Sequence, residues 1–444
     1  MEGVDRIMSD LRGFIEQLKH DDDILVIEEE TSPVYQIAGL MKKYDNGPAL
    51  FFENVKDSTV KIVAGTCGTR GRLSKALSIQ GRDIYPTLVN AMKQPLEPNV
   101  VTDAPVKEVE EKPDLTKLPI LTHYSEDKSP YITAGVVFSR DPETGVQNAS
   151  IHRLMVMDRD RLAIRIVPRQ LFAIHRKAKE KNAPLDIAIA IGLHPAVMLA
   201  SCASVPLGVD EMQVANTLLK GKLRMTRCNT VNIMVPADAE IVLEGRILHN
   251  KEVDEGPFVD ITGTYDIVRK QPVIEIANML HRKDPIYSAL LSAGSEHKLL
   301  MGLFREVKIW EQAKNVVPDV RGVNLTLGGS GWLHAVIAIK KQAEGDGKNV
   351  LLAAFSAHSS LKHAVVVDED IDPYDMNDVE WAIATRVLGD KDILIIPNIR
   401  GSSLDPMGDQ ERALTTKVGI DATHPLSLPK EKFRKAKIPG QENL

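Results

Sequence analysis

The chain has 444 residues, 43% of them hydrophobic and 26% charged, with a formal net charge of −6. That length exceeds one ordinary core and points to two or three domains. The acidic balance argues against a general nucleic-acid binder, and no apolar run reaches membrane-spanning length.

Asp5 to Lys19 sets Ile7, Met8, Leu11, Phe14, Ile15 and Leu18 at helical spacing. This first helix carries acids and lacks signal-peptide architecture, so a cytoplasmic protein is expected. Strands are predicted at Ile24 to Glu28, Ala49 to Phe52 and Val60 to Gly65. Helices are predicted at Val34 to Lys43, Ser74 to Ser78 and Ile84 to Met92. The alternation predicts a small α/β domain over residues 1–105. Glu97 to Pro119 is rich in Pro, Glu, Asp and Lys and reads as a surface linker. Cys67, Cys202 and Cys228 have no CxxC spacing and read as reduced core thiols.

A second domain is expected over residues 120–297. Strands fall at Tyr131 to Ser139, Ser150 to Met157, Arg161 to Val167, Asp186 to Ile191, Val231 to Leu243, Tyr265 to Ala277 and Ile286 to Leu291. Helices fall at Phe172 to Lys181 and 209–220. Many strands with few helices predict a split β-barrel with α insertions. The third domain, 298–444, has predicted strands at Val323 to Leu327, Val350 to Ser356, Ala364 to Val367 and Ile393 to Ile396. Its helices are predicted at His334 to Gln342 and Asn377 to Val387, in an α/β layer with a mainly parallel sheet. The tail after Pro425 reads as extended. The fold class is therefore α/β and β: an N-terminal α/β unit, a central split-barrel-like domain and a C-terminal α/β domain.

The chemistry centres on Pro236 to Asp266. Ala239 to Leu243 reads as a buried strand, Glu255-Gly-Pro-Phe258 as a tight turn, and Val259 to Tyr265 as a half-buried strand. Glu255 and Asp260 flank that turn and can aim at one point. A buried carboxylate holds a proton at neutral pH, as a general acid must. Solvated turn carboxylates paired with Lys or Arg fit the same stretch. On the predicted strand near residue 150, Asn148, Ser150 and His152 share one face, and Ala149, Ile151 and Arg153 the other. An Arg on an apolar face needs a carboxylate or phosphate partner. With Glu255 and Asp260 it would form an acid–base system; alone it reads as a rim cation. Leu327-Gly-Gly-Ser-Gly331 reads as a tight strand-to-helix turn, and Asp368-Glu-Asp370 as a solvated loop. There is no P-loop, HExxH, GxSxG or strand-borne GxGxxG.

Six stretches, taken together, are distinctive: QNASIHR (147–153), GVDE (208–211), PADAEIVLEG (236–245), DEGPFVDITGTY (254–265), SEHKLLMG (295–302) and TTKVGIDATHP (415–425). In these the chain resembles the UbiD-type reversible decarboxylases, carboxy-lyases that use prenylated FMN. The resemblance implies catalytic roles for Arg153, Glu255 and Asp260. It implies cofactor contacts at Asn148, Ser150, Ile151, Arg153, Gln170 and Lys417. It implies a divalent metal, usually Mn2+, with K+ as a further ion, held at Asn148, Gln170 and Glu211. Gln170 departs from the family pattern, which often has a His there; its carbonyl oxygen suits a hard cation. His175, one helical turn on, reads as a helix-face residue.

The implied substrate is a heteroaromatic or α,β-unsaturated carboxylic acid. His297, Arg305 and His334 are candidates to hold it, and a second anionic group on it would suit Arg305. Furan-2,5-dicarboxylate, giving 2-furoate, is the first expectation. Trans-anhydromevalonate 5-phosphate, giving isopentenyl phosphate, is the alternative, and a non-catalytic flavin-binding scaffold the alternative of another class. A flavin prenyltransferase is the expected cofactor supplier, and a homodimer or hexamer the expected assembly. No nucleic-acid or membrane partner is expected.

Overall fold

A computed structural model of the chain describes residues 9–205 and 208–436. Asp5 to Met8 of the expected first helix, and the tail beyond residue 436, lie outside the described residues. The chain divides into two compact units between Leu300 and Met301.

The first unit opens with the helix Leu11–His20. Asp10 caps it, accepting from Gly13 N, and Leu11, Phe14, Ile15 and Leu18 form its buried stripe. A four-stranded sheet follows in the order Ile24–Ile27, Ala49–Phe52, Lys61–Ala64, Ile286–Ala289. The last strand arrives from far along the chain and pairs in parallel with Lys61–Ala64.

The larger sheet is wholly antiparallel and curls as an open half-barrel. Its order is Tyr131–Ile132, Leu154–Val156, Arg161–Ile164, Arg269–His281, Ile241–Glu255, Leu185–Ile191, Val136–Arg140, Gln147–Ile151. Leu185–Ile191 is buried along almost its whole length, paired on one side with Ile241–Glu255 and on the other with Val136–Arg140. The 15 residues of Ile241–Glu255 pair with Arg269–His281, and a register shift falls at Glu244/Gly245. A Cβ on Gly245 would meet the Glu275 carbonyl oxygen at 2.2 Å, so the two backbones can approach there only with glycine. One apolar core joins the two sheets, with Phe52 and Ile62 packed alongside Val137, Ile189, Leu243 and Ile274. Burying such side chains contributes about 1.5–3 kcal/mol each before chain entropy is counted.

Several expectations need correction in this unit. Tyr131 to Ser139 is two strands, Tyr131–Ile132 and Val136–Arg140. Glu97 to Pro119 is not a bare linker: Asn99–Val100 pairs with Arg224–Arg227, Val109–Glu111 pairs with Arg269–His281, and Val106 and Leu115 are buried. Tertiary partners there outweigh a polar composition. Ser150 to Met157 is two strands, Gln147–Ile151 and Leu154–Val156. The single strand expected over Val231 to Leu243 is two, Met234–Pro236 and the long Ile241–Glu255, which lie in different sheets. Val259 to Tyr265 is a ribbon, Phe258–Val259 against Tyr265–Asp266, turning at Gly263 with φ +79°.

The second unit holds a five-stranded sheet in the order Val320–Leu325, His334–Ile339, His363–Asp368, Leu414–Ala422, Ile393–Arg400. The inner three strands are parallel and both outer pairs antiparallel, so the sheet is mixed, not mainly parallel. Two assignments exchange places. His334 to Gln342 is a strand, because HAVIAI is rich in β-branched residues and lies buried inside the sheet. Val350 to Ser356 belongs to the helix Asp346–Ala357, begun by Gly345 and filled with Leu and Ala. The turn at Leu327–Gly331 therefore joins two antiparallel strands. Asp368 is not solvated: it is 2% exposed and pairs with Arg386 at 2.6 Å and His424 Nδ1 at 2.9 Å. Among the described residues, no helix is long and apolar enough to cross a membrane.

Candidate active site

Glu255 is the last residue of its long strand, directly across from Arg269. Gly256 then turns with φ +97°, and the ribbon carries Asp260 back beside the strand end. Arg153 sits between Gln147–Ile151 and Leu154–Val156. Its guanidinium donates from Nε to Glu255 Oε1 at 2.8 Å and from Nη2 to Glu255 Oε2 at 2.8 Å. Nη1 donates to Asp260 Oδ2 at 3.1 Å. The three residues singled out in the sequence do converge.

Their surroundings are dry and aromatic. The Glu255 side chain is 0% exposed, that of Arg153 9%, and that of Asp260 23%. Tyr131 donates its hydroxyl to Glu255 Oε1 at 3.2 Å. The Phe258 ring lies 5.1 Å from the guanidinium carbon and 4.2 Å from the Tyr131 ring. Burial weakens the Arg153 guanidinium, but Glu255, Asp260 and Asp266 outweigh it and hold the cation above its ordinary range. Burial pushes the Tyr131 phenol up, and Glu255 adds to that.

One member went unread in the sequence. Asp266 accepts from Arg153 Nη2 at 3.2 Å, lies 3.7 Å from Arg165 Nε, and accepts from Arg269 Nη1. The signal was the Thr262-Gly263-Thr264 turn. A hairpin there sets Asp266 opposite Phe258, back at the acid turn.

A second cluster forms where Gln147–Ile151 meets two helix starts. Asn148 Nδ2 donates to Gln170 Oε1 at 2.8 Å and to Glu211 Oε1 at 2.9 Å, and Ala149 N donates to Glu211 Oε2 at 2.8 Å. Gln170 opens the helix Gln170–Glu180, and Glu211 opens Glu211–Leu218 behind its cap Asp210. His152 Nδ1 donates to the Arg165 carbonyl at 2.9 Å, so its Nε2 must accept from Ser150 Oγ at 3.0 Å. The Ser150 proton is then not available to Asn148 Oδ1, 3.3 Å away. That leaves an amide oxygen with open lone pairs. Burial also pushes the Glu211 carboxyl up to about 8, and among the described residues the groups bonded to it are amide N–H donors. Two amide oxygens and one carboxylate short of positive charge fit a hard divalent cation. Among the described residues, no three His, Cys, Asp or Glu side chains gather as a metal site, so this amide-rich trio is the candidate.

His297 lies in the first turn of the helix Ser295–Lys314. Its Nδ1 accepts from Ala293 N at 3.1 Å, which leaves the proton on Nε2. Burial lowers its pKa, while nearby Asp260 opposes that shift and Arg153 adds to it. Arg305, His334 and Lys417 fall beyond residue 300 and are described within the second unit. Arg305 lies 5.7 Å from the Trp332 ring. His334 Nδ1 shares a 2.9 Å hydrogen bond with Thr326, and burial lowers its pKa to about 4. Lys417 is 1% exposed and donates to the carbonyls of Ser359 at 2.6 Å and Leu361 at 2.7 Å. Two of its three donors thus hold the loop that leads from the helix Asp346–Ala357 into the strand His363–Asp368. His175 packs on the inner face of its helix.

An arginine locking a buried carboxylate beside a half-open one can serve acid–base chemistry, and comparison with known proteins defines the class of the chain. The Rift-related, C-terminal and N-terminal domains of 3-octaprenyl-4-hydroxybenzoate carboxy-lyase match residues 99–295, 298–422 and 15–92. The chain belongs to this UbiD family and is a decarboxylase of that class. It is 49% identical, over 96% of its length and 99% of the relative's, to anhydromevalonate phosphate decarboxylase of Methanothermobacter thermautotrophicus. It is similar to the UbiD-class enzyme HmfF of Pelotomaculum thermopropionicum in complex with FMN, with a TM-score of 0.96, 42% identity and 98% of each chain covered. An evolved dimeric form of HmfF in complex with prFMN aligns with a TM-score of 0.92 and 40% identity, over 98% of this chain and 99% of that one.

Proposed function

We propose that this chain decarboxylates trans-anhydromevalonate 5-phosphate to isopentenyl phosphate, with prenylated FMN and a divalent metal, Mn2+ first. The observation that carries the reaction is the two-bond grip of Arg153 on fully buried Glu255, with Asp260 on the same guanidinium. The substrate follows the relative that is 49% identical over nearly the full length. Furan-2,5-dicarboxylate becomes the second reading. The cofactor follows the two HmfF complexes.

When bound, prenylated FMN supplies the electron sink that no side chain offers. Asn148, Gln170 and Glu211 would hold the metal, and Ser150 and Ile151 on the same strand would border the cofactor. Glu255, caught on both oxygens, fixes the plane of Arg153. Asp260 accepts through Oδ2 from Arg153 and through Oδ1 from Ile261 N at 2.6 Å, and its side chain is 23% exposed. It is therefore the carboxyl that can both meet a substrate carbon and exchange with solvent. We assign it the proton that replaces CO2. Phe258 and Tyr131 keep water from the cluster. His297 Nε2–H is a donor for the substrate. Self-association as a dimer or hexamer is part of the proposal; the dimeric HmfF form supports it.

The test is co-expression with a flavin prenyltransferase, purification without oxygen, and separate addition of the two acids. Isopentenyl phosphate and CO2 from the phosphorylated acid are expected. Turnover of furan-2,5-dicarboxylate alone would overturn the substrate assignment. Failure to retain prenylated FMN with metal supplied would overturn the cofactor assignment.

A further inference from the structure

Three arginines and three carboxylates meet at the acid turn. Glu255 and Asp260 both bond Arg153, while Asp266 touches Arg153 at 3.2 Å, Arg165 at 3.7 Å and Arg269 by a hydrogen bond. Asp266 is 8% exposed, and its Oδ1 also accepts from Ile267 N at 2.9 Å. Its position is therefore fixed on both oxygens.

We propose that Asp266 is a positioning residue of the acid–base set: it steadies Arg153 through Nη2 while Asp260 holds Nη1, and it neutralises Arg165 and Arg269, whose charge would otherwise bear on Glu255 and Asp260. The inference rests on the acid–base reading of Arg153, Glu255 and Asp260. Geometry supports it in two ways. Arg153 Nη2 has two hydrogens, and Glu255 and Asp266 take one each. Without Asp266, three guanidinium groups would face two carboxylates. Charge behaviour agrees. Burial, then repulsion from Arg269 and Arg153, lowers the Arg165 guanidinium. Burial works against the Asp266 carboxylate, yet Arg269, Arg153 and Arg165 together hold it below its ordinary range.

Other groups facing the cluster are Tyr131 on Glu255, Asp127 from its loop within electrostatic reach of Arg153, and His297 beside Asp260. None touches Arg165 or Arg269 in the way Asp266 does.

The test is a 13C NMR titration of the Glu255 and Asp260 carboxyls in the full-length chain, with and without Asp266→Asn. The variant leaves an uncancelled positive charge, which favours ionised carboxylates. Both groups should titrate lower, by on the order of one pH unit. The high-pH limb of kcat should move the same way, with KM little changed. Asp266→Glu should restore both. A folded Asp266→Asn protein with unchanged titrations would overturn the inference and leave Asp266 as a packing residue. If that variant does not fold, Arg269→Gln supplies the opposite sign: both carboxyls should titrate higher, and no movement would overturn the inference. Absence of turnover by the wild-type chain on any acid would end the decarboxylation proposal, while the titration would still decide the role of Asp266.

Discussion

Arg153 and Glu255 are joined by two hydrogen bonds of equal length, 2.8 Å, one to each carboxylate oxygen, with the carboxylate wholly out of solvent. A lysine cannot reproduce that fork, because it offers a point charge on a flexible stem. Arg153→Lys should therefore lower kcat/KM by about 100-fold or more through loss of alignment. Arg153→Ala leaves a buried carboxylate unpaired and should cost about 3–5 kcal/mol, read as a shift in urea denaturation.

Asp260→Asn removes the assigned proton donor. Exchange of deuterium into the product carbon should fall by about 10²–10⁴-fold, with cofactor retention unchanged. Glu255→Gln should also keep the cofactor and lose exchange. A Glu255→Gln enzyme that turned over normally would show that Arg153 needs no partner in this position.

The proposed metal site would depend on a residue outside its ligand trio. His152 takes the Ser150 proton and so frees Asn148 Oδ1. His152→Phe should weaken Mn2+ binding by about 10–100-fold, as measured by isothermal titration calorimetry. Unchanged affinity would mean that Ser150 can turn away without help.

Buried histidines, His123 and His194 among them, make the fold sensitive to acid. Burial lowers His123 and His194 from 6.5 to about 4. The folded state thus favours their neutral forms, and the unfolded chain binds protons first. Their contribution is fully present above pH 6.5 and is lost as pH falls from 6.5 towards 4. Each should add a slope of about 1.4 kcal/mol per pH unit in that window. His194 Nδ1 caps the helix Pro195–Ala200 by accepting from Ala196 N, so His194→Asn preserves a cap while removing the titration. Thermal melts from pH 7 to 4 should be flatter for that variant.

Much of the site was legible because its chemistry is local in sequence. Glu255 and Asp260 lie five apart around a Gly-Pro turn, and the alternation at Asn148, Ser150 and His152 gives their shared face directly. Asp266 was missed because a hairpin, not a strand, follows Asp260, and the alternating pattern hid the turn. In the second unit, HAVIAI and VLLAAFS are both short apolar runs, and periodicity alone does not separate a buried strand from a buried helix. Residue type does: β-branched Val and Ile in the first, Leu and Ala after Gly345 in the second. The buried pair of Asp368 and Arg386 was unreadable because its partners lie 18 residues apart and meet only where the helix ending in Arg386 returns to the strand ending in Asp368.

The long strand that ends in Glu255 has a second register shift, between Ile247 and Glu252. Over that interval it advances five residues while its neighbour advances only from Ile274 to Pro272. Below it the ladder is regular again, from Glu252 opposite Pro272 to Glu255 opposite Arg269. The address of the acid is thus written in its last four rungs and not in the length of the strand. Residues 248–251 act as slack in a measuring tape: lengthening or shortening them should be silent to the chemistry. One residue inserted after Glu252 should not be. It would bring Asp254, which now meets Lys270 at the surface, to the place where Glu255 meets Arg153. In a lineage of such chains, insertions and deletions have room to accumulate in the slack and none in the four rungs that follow it.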